Sequence, residues 1–428
     1  MKVEIEQERH TLTFIFTLED NDIEKPSEKF SMGRKKTVLR TLEHDLEEIH
    51  PDLLALSAVL ICNPFVGEEL KLDFSPSKEF IDGANSILSR YKLTSICDEP
   101  PSEKRVVVRR SSPGLAFSGG VDSTAAICVM PGSTIPVFMD RPLSSGSLYN
   151  PDAAHQSCSK LKELGYEVQI IECDLEYVRD PVGFPTDVAN AVPAIILTDH
   201  LGLGSISFGT VLESAYGTGH EHFRDYPNGS HWNFYSTLFK SAGIPMSLPI
   251  AGVSEVGTAI IAHKAPAGLV AQSCIRGKWQ EPCMKCWKCF RKGLLANALG
   301  HIKLSEDEME ELIESNEVRS KLSSLPISHE NVVAFAMNRS DLTESPEIEA
   351  LRKRVEELGK LSLLGKWYSP SIELIPENWR LECGQKIQRF LGVMNSREEN
   401  IIEEWDMEGF LLSEDTIQAH RNLIEVFS

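Results

Sequence analysis

The rhythm of apolar and polar positions changes twice along this chain. Thr11–Leu18 places Leu, Phe, Ile, Phe and Leu among threonines, a strand-like pattern. Lys25–Lys36 is polar and basic, contains Pro26 and Gly33, and predicts a loop. Thr37–His50 and Pro51–Cys62 carry the apolar spacing of helices, and Pro51 suits a first helical position. Lys71–Phe74 predicts a short strand and Ser77–Tyr91 an amphipathic helix. Asp98–Lys104, with Pro100 and Pro101, reads as a boundary. Residues 1–105 are therefore expected to form an α+β region.

Beyond it, short apolar runs alternate with helix-length segments. The runs are Arg105–Val108, Leu115–Phe117, Ile135–Met139, Glu167–Ile171, Ser205–Phe208 and Met246–Ile250. Helices are expected at Ser123–Met130, Pro151–Leu164, Asp187–His200, Ser230–Ala242 and Ser254–Ala262. Such alternation predicts βαβ units and a parallel sheet covered on both faces, an α/β domain over 106–300. Residues 301–428 are acidic, carry helical periodicity and show no strand pattern. The aromatic, Pro-containing stretch Lys366–Trp379 is expected to pack across another domain.

Composition bounds the picture. A chain of 428 residues suggests two or three domains, and 42% hydrophobic with 25% charged residues excludes disorder of the whole chain. No apolar run approaches the roughly 20 residues that span a bilayer. The first residues lack a signal-peptide apolar core, so a cytoplasmic location is expected. The net charge of −20 weighs against a large nucleic-acid surface, while leaving room for a small basic cleft. The pattern leaves the oligomeric state open, a homodimer included.

The strongest local signal is Leu115-Ala116-Phe117-Ser118-Gly119-Gly120-Val121-Asp122-Ser123-Thr124. An apolar strand runs into two glycines and then a helix. Gly119 and Gly120 allow a sharp turn and close approach to a ligand, and main-chain N–H groups at the helix start face an anion. Ser118, Ser123 and Thr124 add hydroxyls. Asp122 brings a negative charge that makes sense if it orients the loop or helps hold Mg2+. The Gly-Lys-Ser/Thr ending of a Walker loop is missing. Asp140, after the Ile135–Met139 run, is a further candidate nucleotide contact and equally a turn residue.

The segment resembles the Ser-Gly-Gly-x-Asp-Ser signature of the PP-loop ATP pyrophosphatases. The resemblance implies a parallel-sheet, Rossmann-like core of the HUP type. It also implies cleavage of ATP between the α and β phosphates, and adenylation of a substrate oxygen. The loop residues Phe117 to Thr124 would then bind the cofactor ATP, with Ser118, Asp122 and Ser123 as catalytic residues.

Ten cysteines without a secretion signal argue against disulfides. Six are scattered among apolar neighbours and read as small buried hydrophobes: Cys62, Cys97, Cys128, Cys158, Cys173 and Cys383. The other four cluster. Cys274 is followed by eight residues, Cys283, two residues, Cys286, two residues and Cys289. Four thiolates suit tetrahedral Zn2+ in a closed structural site, and an iron–sulfur cluster uses the same ligands. Lys278, Lys285, Lys288, Arg291 and Lys292 surround them, and their charge offsets that of a zinc tetrathiolate.

Downstream of a PP-loop, this arrangement is similar to that of the QueC-like 7-cyano-7-deazaguanine synthases. There too a Ser-Cys opens the site and an Arg follows the last Cys, as Ser273-Cys274 and Arg291 do here. The resemblance covers roughly 110–295. It implies an α/β PP-loop core with a zinc knot, to which the N-terminal α+β region and the C-terminal helical region are additions. The departures bear on the substrate. The family's Pro-Gly-Arg-Asn run corresponds to Phe184–Asn190, without the Arg. Its Tyr-Pro-Asp corresponds to Tyr226-Pro227-Asn228. Its Thr-Lys, at the start of a late helix, corresponds to Ser254-Glu255, and a glutamate cannot contact phosphate as lysine would. Nucleotide activation is thus expected to be retained, and the deazaguanine pocket altered.

The segment after Gly209 is a candidate acceptor pocket, because it follows the carboxyl end of an expected strand. It contains Glu213, Tyr216, Gly217, Gly219, His220, Glu221, His222, Arg224 and Asp225, residues suited to acid–base or binding roles, or equally to a solvated loop. The resulting expectation is an ATP-, Mg2+- and Zn2+-dependent C–N ligase or synthase. It would adenylate a carboxylate or amide of a small-molecule or protein acceptor. Enlarged QueC-like proteins of antiphage (antiviral defense) systems suggest a protein partner. The alternatives are tRNA thiolation, sugar amidotransfer, or a catalytically reduced nucleotide-binding scaffold.

Overall fold

The computed structural model describes residues 1–106, 111–144, 148–219, 222–342, 345–359 and 361–427. Val107 and Val108 of the expected strand Arg105–Val108 lie outside the described residues, as do His220 and Glu221.

Among the described residues, one sheet of ten strands organises the molecule. The strands are β1 (Lys2–Glu8), β2 (Thr11–Thr17), β3 (Lys36–Arg40), β4 (Glu69–Leu72) and β5 (Lys92–Ser95), then β6 (Ser112–Phe117), β7 (Ile135–Asp140), β8 (Gln169–Cys173), β9 (Leu203–Ser207) and β10 (Met246–Ser247). The spatial order is β10-β9-β6-β7-β8-β3-β2-β1-β4-β5. β6 to β10 are mutually parallel. Counted along the chain, these five lie third-second-first-fourth-fifth. The chain grows outward from β6 on one side, then returns to start β9 on the other. A crevice opens between the carboxyl ends of β6 and β9, the place where open parallel sheets take ligands.

The sheet does not stop at the expected boundary near residue 105. β3 pairs antiparallel with β8, Leu39 opposite Cys173 and Arg40 opposite Glu172. The segment Thr37–His50, expected to be helical, begins as this strand. Thr37 and Leu39 are buried while Lys36 and Arg40 are exposed, a period of two. The Asp174 carboxylate fixes it, accepting from Thr37 Oγ1 at 2.9 Å and Val38 N at 2.7 Å. Tertiary pairing has overridden a local apolar spacing that suited either element.

Helices cover the sheet and build the C-terminal region. Those used below are α1 (Pro51–Cys62), α2 (Val121–Val129), α3 (Asp152–Glu163), α4 (Ser230–Ser241), α5 (Glu255–Lys264), α6 (Trp287–Ala298), α7 (Glu330–Met337), α8 (Pro346–Val355), α9 (Glu377–Phe390) and α10 (Glu414–Val426). α1 is buried on nearly every side and shares one core with β1, β2 and residues 188–197. A second core joins α6 to the C-terminal region: Phe290 and Leu294 pack with Leu312, Val333, Leu351 and Leu423. A buried pair, Arg354 Nη1 to Glu330 Oε1 at 2.5 Å, ties α8 to α7. His420 of α10 accepts from Arg354 Nε at 3.2 Å.

The aromatic connector lies across the α/β core. Tyr368 N donates to Gly252 O at 2.9 Å, and Leu248 N to Leu374 O at 3.0 Å. The connector also supplies Lys366–Trp367, which pairs with Gly392–Val393 in a short parallel ladder that the pattern of this region did not predict.

Candidate functional site

The turn after β6 is built from main chain. Gly119 has φ +73°, a left-handed conformation that favours glycine. Gly120 is the N-cap of α2. The turn closes on itself through hydroxyls. Ser118 and Ser123 lie Oγ to Oγ at 3.0 Å, and Ser123 Oγ donates to Gly120 O at 3.2 Å. The opposite strand must come close. A Cβ on Gly209, just past β9, would sit 2.9 Å from Ser123 N. Glycine at 209 therefore lets the end of β9 pass against the start of α2.

A cleft of about 670 Å³ opens beside this turn. Ser118, Gly120, Val121, Asp122 and Ser123 line it from the loop. Lys288, Arg291 and Lys292 line it from α6, with Ser273 beside them. Asp187, Asn190, Arg224, Asp225, Tyr226 and His231 complete it. The start of α2, serine hydroxyls and four cations, Arg224 among them, line one space, a composition that suits a polyanion.

Two of the cations, Lys292 and Arg291, are tied into a charged cluster. Lys292 Nζ lies 3.3 Å from Asp122 Oδ1 and 2.9 Å from Glu255 Oε2. Arg291 Nη2 is 3.1 Å and His329 Nε2 3.3 Å from Glu255 Oε1. Asp122 Oδ1 also accepts from Thr258 Oγ1 at 2.8 Å. Burial opposes ionisation of Glu255, but Lys292, Arg291 and His329 outweigh it and hold the carboxyl below its ordinary value. Burial likewise works against the Lys292 ammonium, yet Asp122 and Glu255 keep it above the usual lysine value.

Glu213 behaves oppositely. Burial, with the charge of Glu255 next, pushes it up to about 8. It accepts from Glu255 N at 3.0 Å and from Asn331 Nδ2 at 3.2 Å. His329 and Asn331 thus bring the C-terminal region into the ground beneath the loop.

Elsewhere in the cleft a chain of hydrogen bonds runs outward. Tyr226 Oη lies 2.9 Å from His231 Nδ1, and His231 Nε2 lies 2.7 Å from Asp187 Oδ2. Tyr226 is buried and Asp187 exposed, so the chain leads from the interior to water. Burial, then the charge of Asp187, raises the Tyr226 hydroxyl and keeps it protonated.

The four clustered cysteines come together. Their sulfurs all lie within 4.8 Å of one another. Cys286 Sγ is 3.5 Å and Cys283 Sγ 3.8 Å from Cys289 Sγ, and Cys283 N donates to Cys274 Sγ at 3.3 Å. A zinc tetrathiolate with bonds of about 2.3 Å has edges of about 3.8 Å, so the donor set fits a tetrahedral ion. No disulfide forms among the ten cysteines. Cys286 is the N-cap of α6, and Trp287 N donates to Glu317 Oε1 at 3.0 Å.

Several expected site residues fall outside the cleft lining. Phe117 is buried in the core under the loop. Thr124 is fully buried. Gly119 carries the turn, its carbonyl accepting from Gln272 N at 2.7 Å. Asp140 ends β7 with its Oδ2 2.9 Å from His155 Nε2. Of the candidate acceptor segment, Arg224 and Asp225 reach the cleft, Tyr216 is buried, and His222 pairs with Asp406 at 3.2 Å. Sequence reasoning did not place Lys288, Arg291 or Lys292 here. Their spacing of three and four residues marks one helix face and was the available signal. His231 left no such signal.

Residues 234–406 match a family described as "Family of unknown function (DUF6395)". The match takes in the cysteines and α6 and stops short of the loop. No curated protein and no solved structure matches the chain. Among the described residues, no helix is long and apolar enough to cross a membrane.

Proposed function

We propose that the chain is an ATP-dependent enzyme of the PP-loop type, with a Rossmann-like core, that forms AMP and pyrophosphate. One observation carries the reading. The Ser118–Thr124 turn joins β6, the first of the five parallel strands β6 to β10, to α2 at the point where strand order reverses, and it opens into the cleft. In this reading an acceptor carboxylate or amide oxygen attacks the α-phosphorus, and pyrophosphate leaves toward the loop. The loop N–H groups and Ser118 and Ser123 meet charge as it develops, a preorganised electrostatic contribution. Asp122 is the loop's own carboxylate and would help hold Mg2+, which would neutralise phosphate charge.

A nitrogen nucleophile then attacks the adenylated carbon, and the bond from that carbon to the AMP oxygen breaks so that AMP leaves. The nucleophile's surplus proton has a path from Tyr226 through His231 to Asp187 at the solvent edge. The four cysteines hold structural Zn2+ and fix the start of α6.

The test is product analysis with ATP, Mg2+ and candidate acceptors, 7-carboxy-7-deazaguanine first. AMP with pyrophosphate, lost in Ser118→Ala and Asp122→Ala, is expected. ADP as the sole product would sink the proposal. Tight ATP binding without turnover across acceptors would favour a partner-regulating scaffold.

A further inference from the structure

The cations of α6 have no ligand in the reading above. Three features point to one. First, Lys288, Arg291 and Lys292 share a helix face, while Phe290 and Leu294 are buried in the core shared with the C-terminal region. The helix is therefore not free to turn its cations elsewhere. Second, the Lys292 and Arg291 side chains are only 13% and 7% exposed. Cations so withdrawn from water need anionic partners. Glu255 and Asp122 supply two charges, yet the buried Arg291 Nε has no hydrogen-bond acceptor among the described residues. Third, the span from loop to helix is fixed by the chain. Gln272 N holds Gly119 O, and two residues later Cys274 joins the cluster that starts α6.

We propose that Lys288, Arg291 and Lys292 form a clamp for the pyrophosphate portion of the nucleotide, with Lys292 held in reserve by Asp122 until phosphate arrives. This rests on reading the cleft as an ATP site. Arriving phosphate oxygens take the Lys292 ammonium and the free Arg291 N–H, and the Asp122 carboxylate is released to a magnesium ion. Glu255 is the buried counter-ion that orients Lys292 and Arg291 in the clamp.

The experiment is calorimetric titration of the full, metal-replete chain with inorganic pyrophosphate, and with AMP for comparison. Lys292→Met is expected to weaken pyrophosphate about tenfold or more and AMP less than about twofold. Lys288 is exposed, so Lys288→Met keeps the test alive if the first variant fails to fold, with an expected loss of about threefold or more. Lys278→Met and Lys285→Met make the same charge change beside the cysteines but outside the cleft lining, and should leave both ligands unchanged. With zinc retained but Mg2+ left out, Asp122→Asn should bind pyrophosphate more tightly than the native chain, because it frees Lys292.

Absence of pyrophosphate binding by the native chain overturns the clamp. So does unchanged affinity in folded Lys292→Met or Lys288→Met, or an equal loss in Lys285→Met. Weaker binding by Asp122→Asn overturns the reserve role of Lys292. A chain that makes only ADP yet binds pyrophosphate through Lys292 would sink the adenylation reading and keep the clamp. AMP formation with an indifferent Lys292 would do the reverse.

Discussion

The two sides of the cleft are made from different materials. The loop side is main chain: Gly119 in a left-handed turn, Gly120 capping α2, and serine hydroxyls closing the turn locally. The α6 side is side chain: three cations on a face of the helix that starts at the cysteine cluster, two of them, Arg291 and Lys292, aimed by Glu255 and Asp122 from far off in the sequence. A site made of backbone needs few partners and keeps its shape when a side chain is changed. A site made of long cationic side chains depends on everything that holds the helix. The first side should therefore fail through crowding of the backbone, and the second through loss of support.

The sharpest way to break that contrast is to remove the support. Chelation, or Cys286→Ser, should release about one zinc ion per chain and loosen residues 272–298 while leaving the ten-stranded sheet intact. A structural zinc site contributes on the order of 10 kcal/mol to the fold it closes. Elemental analysis and hydrogen exchange would read the two halves separately. Iron with visible absorbance in place of zinc would contradict the metal assignment. Equal protection of 272–298 with and without metal would show that the C-terminal core alone holds α6.

The loop side should answer to a single methyl group. Gly209→Ala places a carbon against Ser123 N and Asp122 C, backbone atoms that cannot swing aside. A loss of about 2 kcal/mol in stability, with ATP affinity reduced further than stability alone explains, is expected. Denaturant melts and nucleotide titration check it. Full affinity in a destabilised protein would separate the close approach from the ligand site.

The same contrast explains what was legible in the sequence. Backbone needs write themselves into short motifs, so Ser118–Thr124 and the cysteine spacing were readable one residue at a time. The face of α6 was not. In the sequence Lys288, Arg291 and Lys292 look like charge balance for the cysteines, because their direction depends on which side of the helix the C-terminal core covers. Glu255 read as a lost phosphate contact, because its partners Lys292, Arg291 and His329 arrive from elsewhere in the chain. β3 hid for a similar reason: Thr37–Arg40 fits a helix or a strand until β2 and β8 lie on either side. Whether residues 1–105 stand apart could not be read from proline positions, since it turns on a pairing between Leu39 and Cys173.

The smallest predicted effect sits where the two sides meet. Glu213 receives the first N–H of α5 and the Asn331 amide of α7, and its carboxyl is pushed up to about 8 by burial and by Glu255. In the unfolded chain it returns to the ordinary glutamate value. The folded protein therefore holds a proton that the unfolded chain gives up. The stabilisation is complete below the ordinary value and is lost as pH rises through about 8. Glu255 runs the other way: its carboxyl is depressed, so its contribution is present above the ordinary value and lost as pH falls. The two windows do not overlap. The melting temperature of the native chain should thus fall between about pH 6 and about pH 9 by more than that of Glu213→Gln, which keeps an acceptor without the ionisation. A neutral Glu213 also has a hydrogen to donate, and Asn331 Oδ1 is buried without a partner; with the amide reversed it would accept that hydrogen. Asn331→Ala should then lower the Glu213-dependent part of the pH slope while leaving the Glu255 part in place. Parallel slopes in native and Glu213→Gln protein would show that the junction holds its charge without the proton.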